Sequence, residues 1–186
     1  MEVLAILSAF GLSGAAGLNA YIPLLSVAIL GRLGVIHLSA PFDLLTTLPV
    51  IIVLGVLLVV EIVVDKVPGA DHVNDIIQTF VRPIAGAILV GAQVGAVDQI
   101  PTWLLILCGL LITVGVHATK AAARPVVNAT TLGLGAPIVS AGEDAVSLTT
   151  SLVAVFAPLV VLALLLLFAG AAYWVWSNAA CTASLP

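Results

Sequence analysis

The chain has 186 residues, of which 62% are hydrophobic and 8% are charged, whereas a soluble domain carries charge on roughly a quarter of its positions. Too few polar side chains are present to cover a water-exposed surface, which excludes a soluble domain. Nine acidic residues stand against five basic ones, so the chain also lacks the basic patch by which proteins bind nucleic acid.

These observations predict an all-α protein, a polytopic transmembrane helical bundle in contact with the lipid bilayer. One crossing needs about 20 residues, so the length allows five or six spans. We expect a single transmembrane domain over residues 1–177 and a short polar tail over residues 178–186. No cofactor is expected.

The first apolar stretch runs from Val3 to Gly31 without a charge, but Gly, Ser, Asn and Pro interrupt it between Gly11 and Pro23. It predicts either a kinked span or a broken, re-entrant one. Irregular backbone at membrane depth is tolerated only where it is buried in protein or lines a cavity. Secondary transporters build substrate and ion sites from such broken helices, whereas small residues can also serve only close helix packing.

Leu44 to Val60 is a continuous apolar run that predicts the second span. Glu61 follows it directly and is expected just inside the hydrocarbon, where an ionisable residue suggests a function. Asp71 to Val81 has apolar residues at helical spacing and predicts a short amphipathic helix at the interface. A divalent cation could bind at three acids, although interfacial acids are more often solvated or paired with bases; they are Asp65, Asp71 and Asp75.

Arg82 and Pro83 open the next predicted helix, Ile84 to Val97 is its apolar part, and Pro101 to Val116 predicts another span. The three residues that follow at spacings i, i+3 and i+7 share one helix face; they are His117, Lys120 and Arg124. Together with Arg82 they could bind a phosphate or a lipid headgroup, or could only fix the topology.

A second polar, Gly-rich interruption lies between Asn128 and Gly142, and this segment either crosses the membrane or turns back. Ser147 to Trp176 then predicts a long final helix. If both interruptions meet inside the bundle, seven residues are the expected lining of a substrate or ion pathway; they are Ser13, Asn19, Tyr21, Glu61, Asn128, Thr130 and Thr131.

A cytoplasmic N-terminus would put most bases on the cytoplasmic side and leave Arg32 outside, as the positive-inside rule requires. The pattern therefore predicts a multi-pass protein of a bacterial inner membrane with its N-terminus in the cytoplasm. Whether the protein is an enzyme stays open, although the sequence has no Ser-His-Asp order, zinc motif or P-loop.

Three functions fit these observations. The first is a small transporter, channel or lipid translocator, in which about five spans would need a homo-oligomer to close a pathway. The second is an accessory or assembly subunit that docks onto a membrane protein partner and moves nothing itself. The third is an interfacial, metal-dependent lipid enzyme built on the acidic residues.

Three long stretches resemble a bacterial membrane-protein family that is catalogued as domain of unknown function 4126. They are GLSGAAGLNAYIPLL, EIVVDKVPGADHVNDIIQTFVRPIAGAIL and HATKAAARPVVNATTLGLGAPIVSAGEDAVSL. The likeness extends from about Ala5 to Ala157. It implies a polytopic inner-membrane protein but carries no catalytic or binding residues over to this chain, because the family has no assigned activity.

Overall fold

The computed structural model describes residues 2–65, 70–94, 100–131 and 135–161, together with residues 163, 166, 167 and 170. In this part of the chain the regular elements are six α-helices and one 3-10 helix, as the composition predicts. They are α1 (Glu2–Leu18), α2 (Tyr21–Arg32), the 3-10 helix (Phe42–Thr46), α3 (Leu48–Val64), α4 (Ala70–Val94), α5 (Thr102–Thr131) and α6 (Ala136–Phe156).

Among the described residues, three helices are long and apolar enough to cross a membrane, by length and composition. Their candidate spans are Ile76–Val94, Thr102–Ala123 and Pro137–Phe156. The helices α1, α2 and α3 are also apolar but have only 17, 12 and 17 residues. At 1.5 Å per residue α2 extends about 18 Å, which is well short of a hydrocarbon layer about 30 Å thick.

The helices α1 and α2 form a hairpin that enters the bundle and returns to the same side. Ala9 of α1 packs with Val90 of α4 and Leu105 of α5, whereas Leu18, at the other end of α1, accepts a hydrogen bond from Lys120. After the turn at Asn19, the chain runs back to Arg32, whose guanidinium binds the Thr46 carbonyl.

Contacts of α2 with its neighbours confirm its direction. Ile22 near its start shares a cavity with Ile62 of α3 and Asp144 of α6. Beyond the end of α2, the Ser39 amide donates to the carbonyl of Ala92, which lies in the last turn of α4. The end of α2 and the start of α1 therefore lie on one side of the bundle, which we call the open end.

The opposite side, where α3 ends at Val64 and α4 begins at Ala70, is called the charged end. The hairpin does not reach the charged end, because its turn lies beside Arg82 and His117. Each of these residues is six positions inside the terminus of its candidate span, or about 9 Å along the helix. The hairpin therefore has the geometry of the re-entrant alternative for the first apolar stretch.

This hairpin corrects the predicted topology. The sequence pattern placed the N-terminus and the bases on one side, but α1 starts at the open end whereas Arg82 and Lys120 lie toward the charged end. The error arose because Val3 to Gly31 was counted as one crossing. Two short helices joined at Asn19 contain the same number of apolar residues as one long span.

The prediction of a separate interfacial helix over Asp71 to Val81 is also wrong. One continuous helix, α4, contains that stretch and passes through Pro83. The amphipathic pattern is real, but its polar face points inward: Gln78 and Arg82 are 1% and 0% exposed, whereas Phe80 is 70% exposed. In lipid, an amphipathic helix buries its polar side in protein and leaves its apolar side outside.

Helix α5 continues to Thr131 and α6 begins at Ala136, so residues 128–142 are mainly two helix ends around a short connection. The predicted final helix from Ser147 begins as the second half of α6, which ends at Phe156, and the described residues after Ala157 are helical again. The end of α6 immediately precedes Ala157, whose backbone leaves the α region because a following proline disfavours that region. Most of the remaining chain to Trp176 lies outside the described residues.

Small residues allow α1 to lie at the centre of the bundle against α4, α5 and α6. A Cβ atom on Gly17 would lie 2.6 Å from the Cβ of Val116 and 2.9 Å from the carbonyl oxygen of Thr113. Gly86 of α4 touches the Thr113 side chain in the same way. The helix axes thus approach too closely at these positions for any larger residue without movement.

Candidate functional site

Asn19 organises the turn of the hairpin. Its Oδ1 accepts hydrogen bonds from the backbone amides of Tyr21 and Ile22, at 3.0 and 3.1 Å, which have no partner within the first turn of α2. Its Nδ2 donates to Oδ1 of Asp144 at 2.9 Å. One asparagine side chain therefore caps α2 and fixes the turn to α6.

The last carbonyl groups of α1 bind two cations from neighbouring helices. Lys120 Nζ donates to the Leu18 oxygen at 2.9 Å, and Arg82 Nη1 lies 3.4 Å from the Gly17 oxygen. Carbonyl groups at a helix C-terminus lack partners within the helix and carry partial negative charge, which a cation stabilises. The turn is thus held through its backbone from both α4 and α5.

Arg82 is the most deeply buried charge among the described residues, with 0% of its surface exposed. Its Nη2 lies 3.3 Å from Glu61 Oε1 on α3, and its Nη1 lies 2.8 Å from His117 Nδ1 on α5. The other ring nitrogen of His117 lies 3.1 Å from the Thr79 hydroxyl. One oxygen of the buried Glu61 carboxylate thus has a cationic partner, as a buried charge requires.

Two further acids complete the polar region. Glu143 forms a 2.8 Å ion pair with Lys120. Asp65, which is 6% exposed, accepts hydrogen bonds from Asn74 at 2.8 Å and from Ser140 at 3.2 Å. We call the whole set the tip cluster; its members are Asn19, Tyr21, Glu61, Asp65, Asn74, Gln78, Thr79, Arg82, His117, Lys120, Ser140, Glu143 and Asp144.

Three buried polar atoms in the tip cluster lack a hydrogen-bond partner among the described residues. They are Glu61 Oε2, Gln78 Oε1 and Arg82 Nε. Gln78 lies one helical turn from Arg82, and the Tyr21 side chain lies near both Gln78 and Glu61. Because buried polar atoms are nearly always hydrogen-bonded, this part of the cluster has the capacity to bind another polar species.

An apolar groove of about 390 Å³ lies beside the cluster between α2, α3 and α6. Most of its lining is aliphatic, from Ile22, Leu58, Ile62 and Leu148 among others, and Asp144 connects it with the cluster. The groove borders the turn of the hairpin on the side away from α4 and α5. The hairpin therefore has space beside it that is not filled by side chains.

The structure brings seven of the sequence-predicted residues into the tip cluster: Asn19, Tyr21, Glu61, Asp65, Arg82, His117 and Lys120. Ser13 lies higher in α1, where its hydroxyl donates to the Gly86 carbonyl and supports helix packing. The Thr131 hydroxyl accepts from the Gly135 amide at the end of α5. The side chains of Asp71, Asp75, Arg124, Asn128 and Thr130 lie outside the described residues.

The two interruptions therefore contribute differently. Asn19, in the first one, lies within the tip cluster, whereas the backbone of residues 128–131 lies eight to eleven positions beyond Lys120 in α5, or about 12–16 Å along the helix. The polar partner of the hairpin comes instead from α6, through Asp144 and Ser147, whose hydroxyl donates to the Ala15 carbonyl.

Several cluster residues belong to no local sequence motif and so were not predicted. Asn74, Gln78 and Arg82 repeat at a spacing of four and so share one helix face, which could have identified the polar side of α4. Glu143 and Asp144 belong to no motif and were not among the predicted site residues. Among the side chains that the structure describes, no three His, Cys, Asp or Glu residues are grouped as metal ligands, and two of the three suggested acids are not among them.

The comparisons with known proteins identify a family but no activity. The family model described as "Domain of unknown function (DUF4126)" matches residues 6–178. No curated protein and no solved structure matches the chain. Any inference about activity must therefore come from the tip cluster itself.

Proposed function

We propose that this chain, which belongs to the DUF4126 family over residues 6–178, moves a small ion or polar solute across the membrane. The observation that supports this proposal is a re-entrant hairpin whose turn is held by buried charges inside the candidate spans. Secondary transporters use broken helices in this way, with helix ends directed at the transported species. The tip cluster is the proposed binding site.

Stability alone gives no reason for these charges. A buried ion pair such as Glu61–Arg82 is often neutral or unfavourable relative to well-packed apolar residues of the same size. A charged residue within a span also opposes membrane insertion by roughly 2.5–3.5 kcal/mol. Such residues are retained mainly where they bind or relay ions, and this expectation supports a transport role for the cluster.

The hairpin offers a movable element for such a function. Three helices hold its turn through side chains: α4 through Arg82, α5 through Lys120 and α6 through Asp144. A charged species that competes for one of these side chains would weaken that attachment. The groove next to Ile22 gives the turn a place to move. Binding and hairpin movement would then be coupled, as alternating access requires.

The orientation follows from the same residues. If the end toward which Arg82 and Lys120 lie faces the cytoplasm of a bacterial cell, the positive-inside rule is satisfied. The N-terminus then lies outside, opposite to the side expected from the sequence. A homo-oligomer remains part of the proposal, because of all residues in α3 only Leu54 and Glu61 are buried.

Flux into proteoliposomes tests the proposal directly. Vesicles containing the purified protein are loaded with a dye that responds to the species tested, and gradients of Na⁺, K⁺, Cl⁻, phosphate and H⁺ are imposed one at a time. We expect protein-dependent flux for at least one of them, and its loss in Glu61→Gln. Asp43→Asn, which changes an exposed acid near the open end, is the control that should keep the flux.

Two results would count against transport. Wild-type vesicles that match empty vesicles in every gradient would contradict it, as would full flux in a folded Glu61→Gln protein. A stoichiometric partner recovered in mild detergent, together with absent flux, would favour the accessory subunit instead. Mg²⁺ binding that Asp65→Asn abolishes would favour the lipid enzyme.

A further inference from the structure

The hydrogen bonds of His117 determine where its proton lies. A guanidinium group can only donate, so Nδ1 of His117, 2.8 Å from Arg82 Nη1, must be the acceptor. A neutral imidazole with an unprotonated Nδ1 carries its proton on Nε2. That nitrogen lies 3.1 Å from the Thr79 hydroxyl and donates to it. His117 is therefore neutral and is held as one tautomer.

A second proton on His117 is incompatible with this arrangement. It would form an N–H bond with the Nδ1 lone pair that now accepts from Arg82, and the imidazole would take up its positive charge. The hydrogen bond from Arg82 Nη1 would break, and two cations would face each other about 3 Å apart. Like charges at that distance inside a protein repel strongly, so Arg82 would have to move.

Arg82 has a position to move to. Its Nη2 already binds Glu61 Oε1, whereas Glu61 Oε2 is buried without a partner among the described residues. Rotation of the guanidinium toward α3 would satisfy both carboxylate oxygens in a bidentate pair, which is the strongest arrangement for these groups. The same rotation would withdraw Nη1 from the Gly17 carbonyl at the end of α1.

The three linked groups differ in burial. His117 is 7% exposed, whereas Arg82 and Glu61 are 0% and 2% exposed, and the Thr79 side chain that it binds is exposed. The ring is thus the outermost member of the chain Glu61–Arg82–His117. Among the described side chains, the charged and titratable groups near this chain include Tyr21 on α2, Asp65 on α3, Lys120 on α5, and Glu143 and Asp144 on α6.

We propose that His117 is the binding site for a coupling proton, and that its protonation transfers Arg82 from the hairpin turn to Glu61. This inference rests on the proposed transport function and names its coupling ion. Protonation frees the Gly17 carbonyl and leaves the turn attached through Lys120 and Asp144 only. Loss of the proton restores the bond to Arg82. The hairpin is thereby switched by one proton.

Nitrogen NMR of the full chain in lipid bicelles tests the proposal without any transport. The protein has three histidines and three arginines, so ¹⁵N labelling of each residue type gives few signals, which His117→Gln and Arg82→Lys assign. We expect the Nε2–H tautomer of His117 at pH 8. On acidification, the signals of His117 and Arg82 should change with the same midpoint.

His117→Gln is the matched variant, because its amide can accept from Arg82 and donate to Thr79 but cannot bind a proton. In this variant the Arg82 signals should not depend on pH between 5 and 8. An Nδ1–H tautomer in the wild type, or an Arg82 signal that ignores His117 protonation, would overturn the proposal. So would an Arg82 signal that keeps its pH dependence in the variant.

Flux measurements separate this inference from the proposed function. If no gradient produces flux while the NMR titration is as expected, the proton site stands and transport fails. If flux occurs, its dependence on pH between 5 and 8 should disappear in His117→Gln, whatever the rate of that variant. Flux with unchanged pH dependence would leave transport in place and refute the role of His117.

Discussion

Asn19→Ala removes the side chain on which the hairpin turn depends. The alanine side chain can neither accept from the amides of Tyr21 and Ile22 nor donate to Asp144. Each neutral hydrogen bond contributes about 1 kcal/mol to stability and a bond to a carboxylate about 1.5–3 kcal/mol, so we expect the free energy of unfolding to fall by about 3–5 kcal/mol. Asn19 is 1% exposed, so bulk water has little access to the groups left behind.

Unfolding in dodecyl maltoside micelles with increasing sodium dodecyl sulfate, followed by far-UV circular dichroism, measures this free energy. The free energy of unfolding of Asn19→Ser should lie between those of the wild type and Asn19→Ala, since a serine hydroxyl can still cap a helix but cannot reach Asp144. Ser26→Ala is the control, because that hydroxyl binds only the Ile22 carbonyl of its own helix and its loss should cost less than about 0.5 kcal/mol. Equal stability of Asn19→Ala and Ser26→Ala would refute our account of the turn.

Two further predictions concern the packing and the direction of α1. Gly17→Ala should lower the free energy of unfolding by about 1–3 kcal/mol, because its Cβ meets Val116 and Thr113. Gly115→Ala, whose Cβ has nothing within 4 Å, should be neutral or stabilise by up to about 1 kcal/mol. The same detergent titration compares the two variants, and equal effects would contradict the close approach of α1 and α5. The direction of α1 is tested in a protein without its native cysteines, Cys108→Ser with Cys181→Ser. A membrane-impermeant maleimide should label Val3→Cys and Leu33→Cys from one side of oriented vesicles and Ala123→Cys from the other side. Labelling of Val3→Cys and Ala123→Cys from the same side would refute the hairpin.

Composition predicted the helical class correctly because lipid leaves few alternatives to helices with internally satisfied backbone. Glu61 was likewise recognised from sequence, since a single acid after a long apolar run has a clear energetic meaning in a membrane. Arg82, His117 and Lys120 were identified as basic residues but were interpreted as an interfacial face. The actual partners of Arg82 and Lys120 are backbone carbonyls and acids that lie far away in the sequence, whereas His117 contacts Arg82 and Thr79.

The turn at Asn19 could not be predicted with the same certainty. The stretch from Val3 to Gly31 carries no charge, and its polar interruption contains no information about the direction of the chain, so a kinked crossing and a hairpin fit the same pattern. The decisive contacts are between distant residues, such as Asn19 with Asp144 and Ser147 with Ala15. The sequence predicted the amphipathic periodicity of α4 correctly but assigned its polar face to water. That face lies against protein, and sequence alone does not show what surrounds a helix.

The inward polar face of α4 has a consequence for how the chain enters the membrane during synthesis. With Arg82 and Gln78 in its middle, α4 is a poor segment for partition into lipid on its own, because an arginine near the centre of a helix opposes insertion by roughly 2.5–3.5 kcal/mol. The carbonyls that bind Arg82 belong to α1, and its carboxylate partner belongs to α3, both of which are made before it. The order of the helices along the chain therefore lets the acceptors be in place when the cation arrives. The hairpin, whose turn contains little besides Asn19 and Ala20, can precede it without carrying a long polar loop into the bilayer.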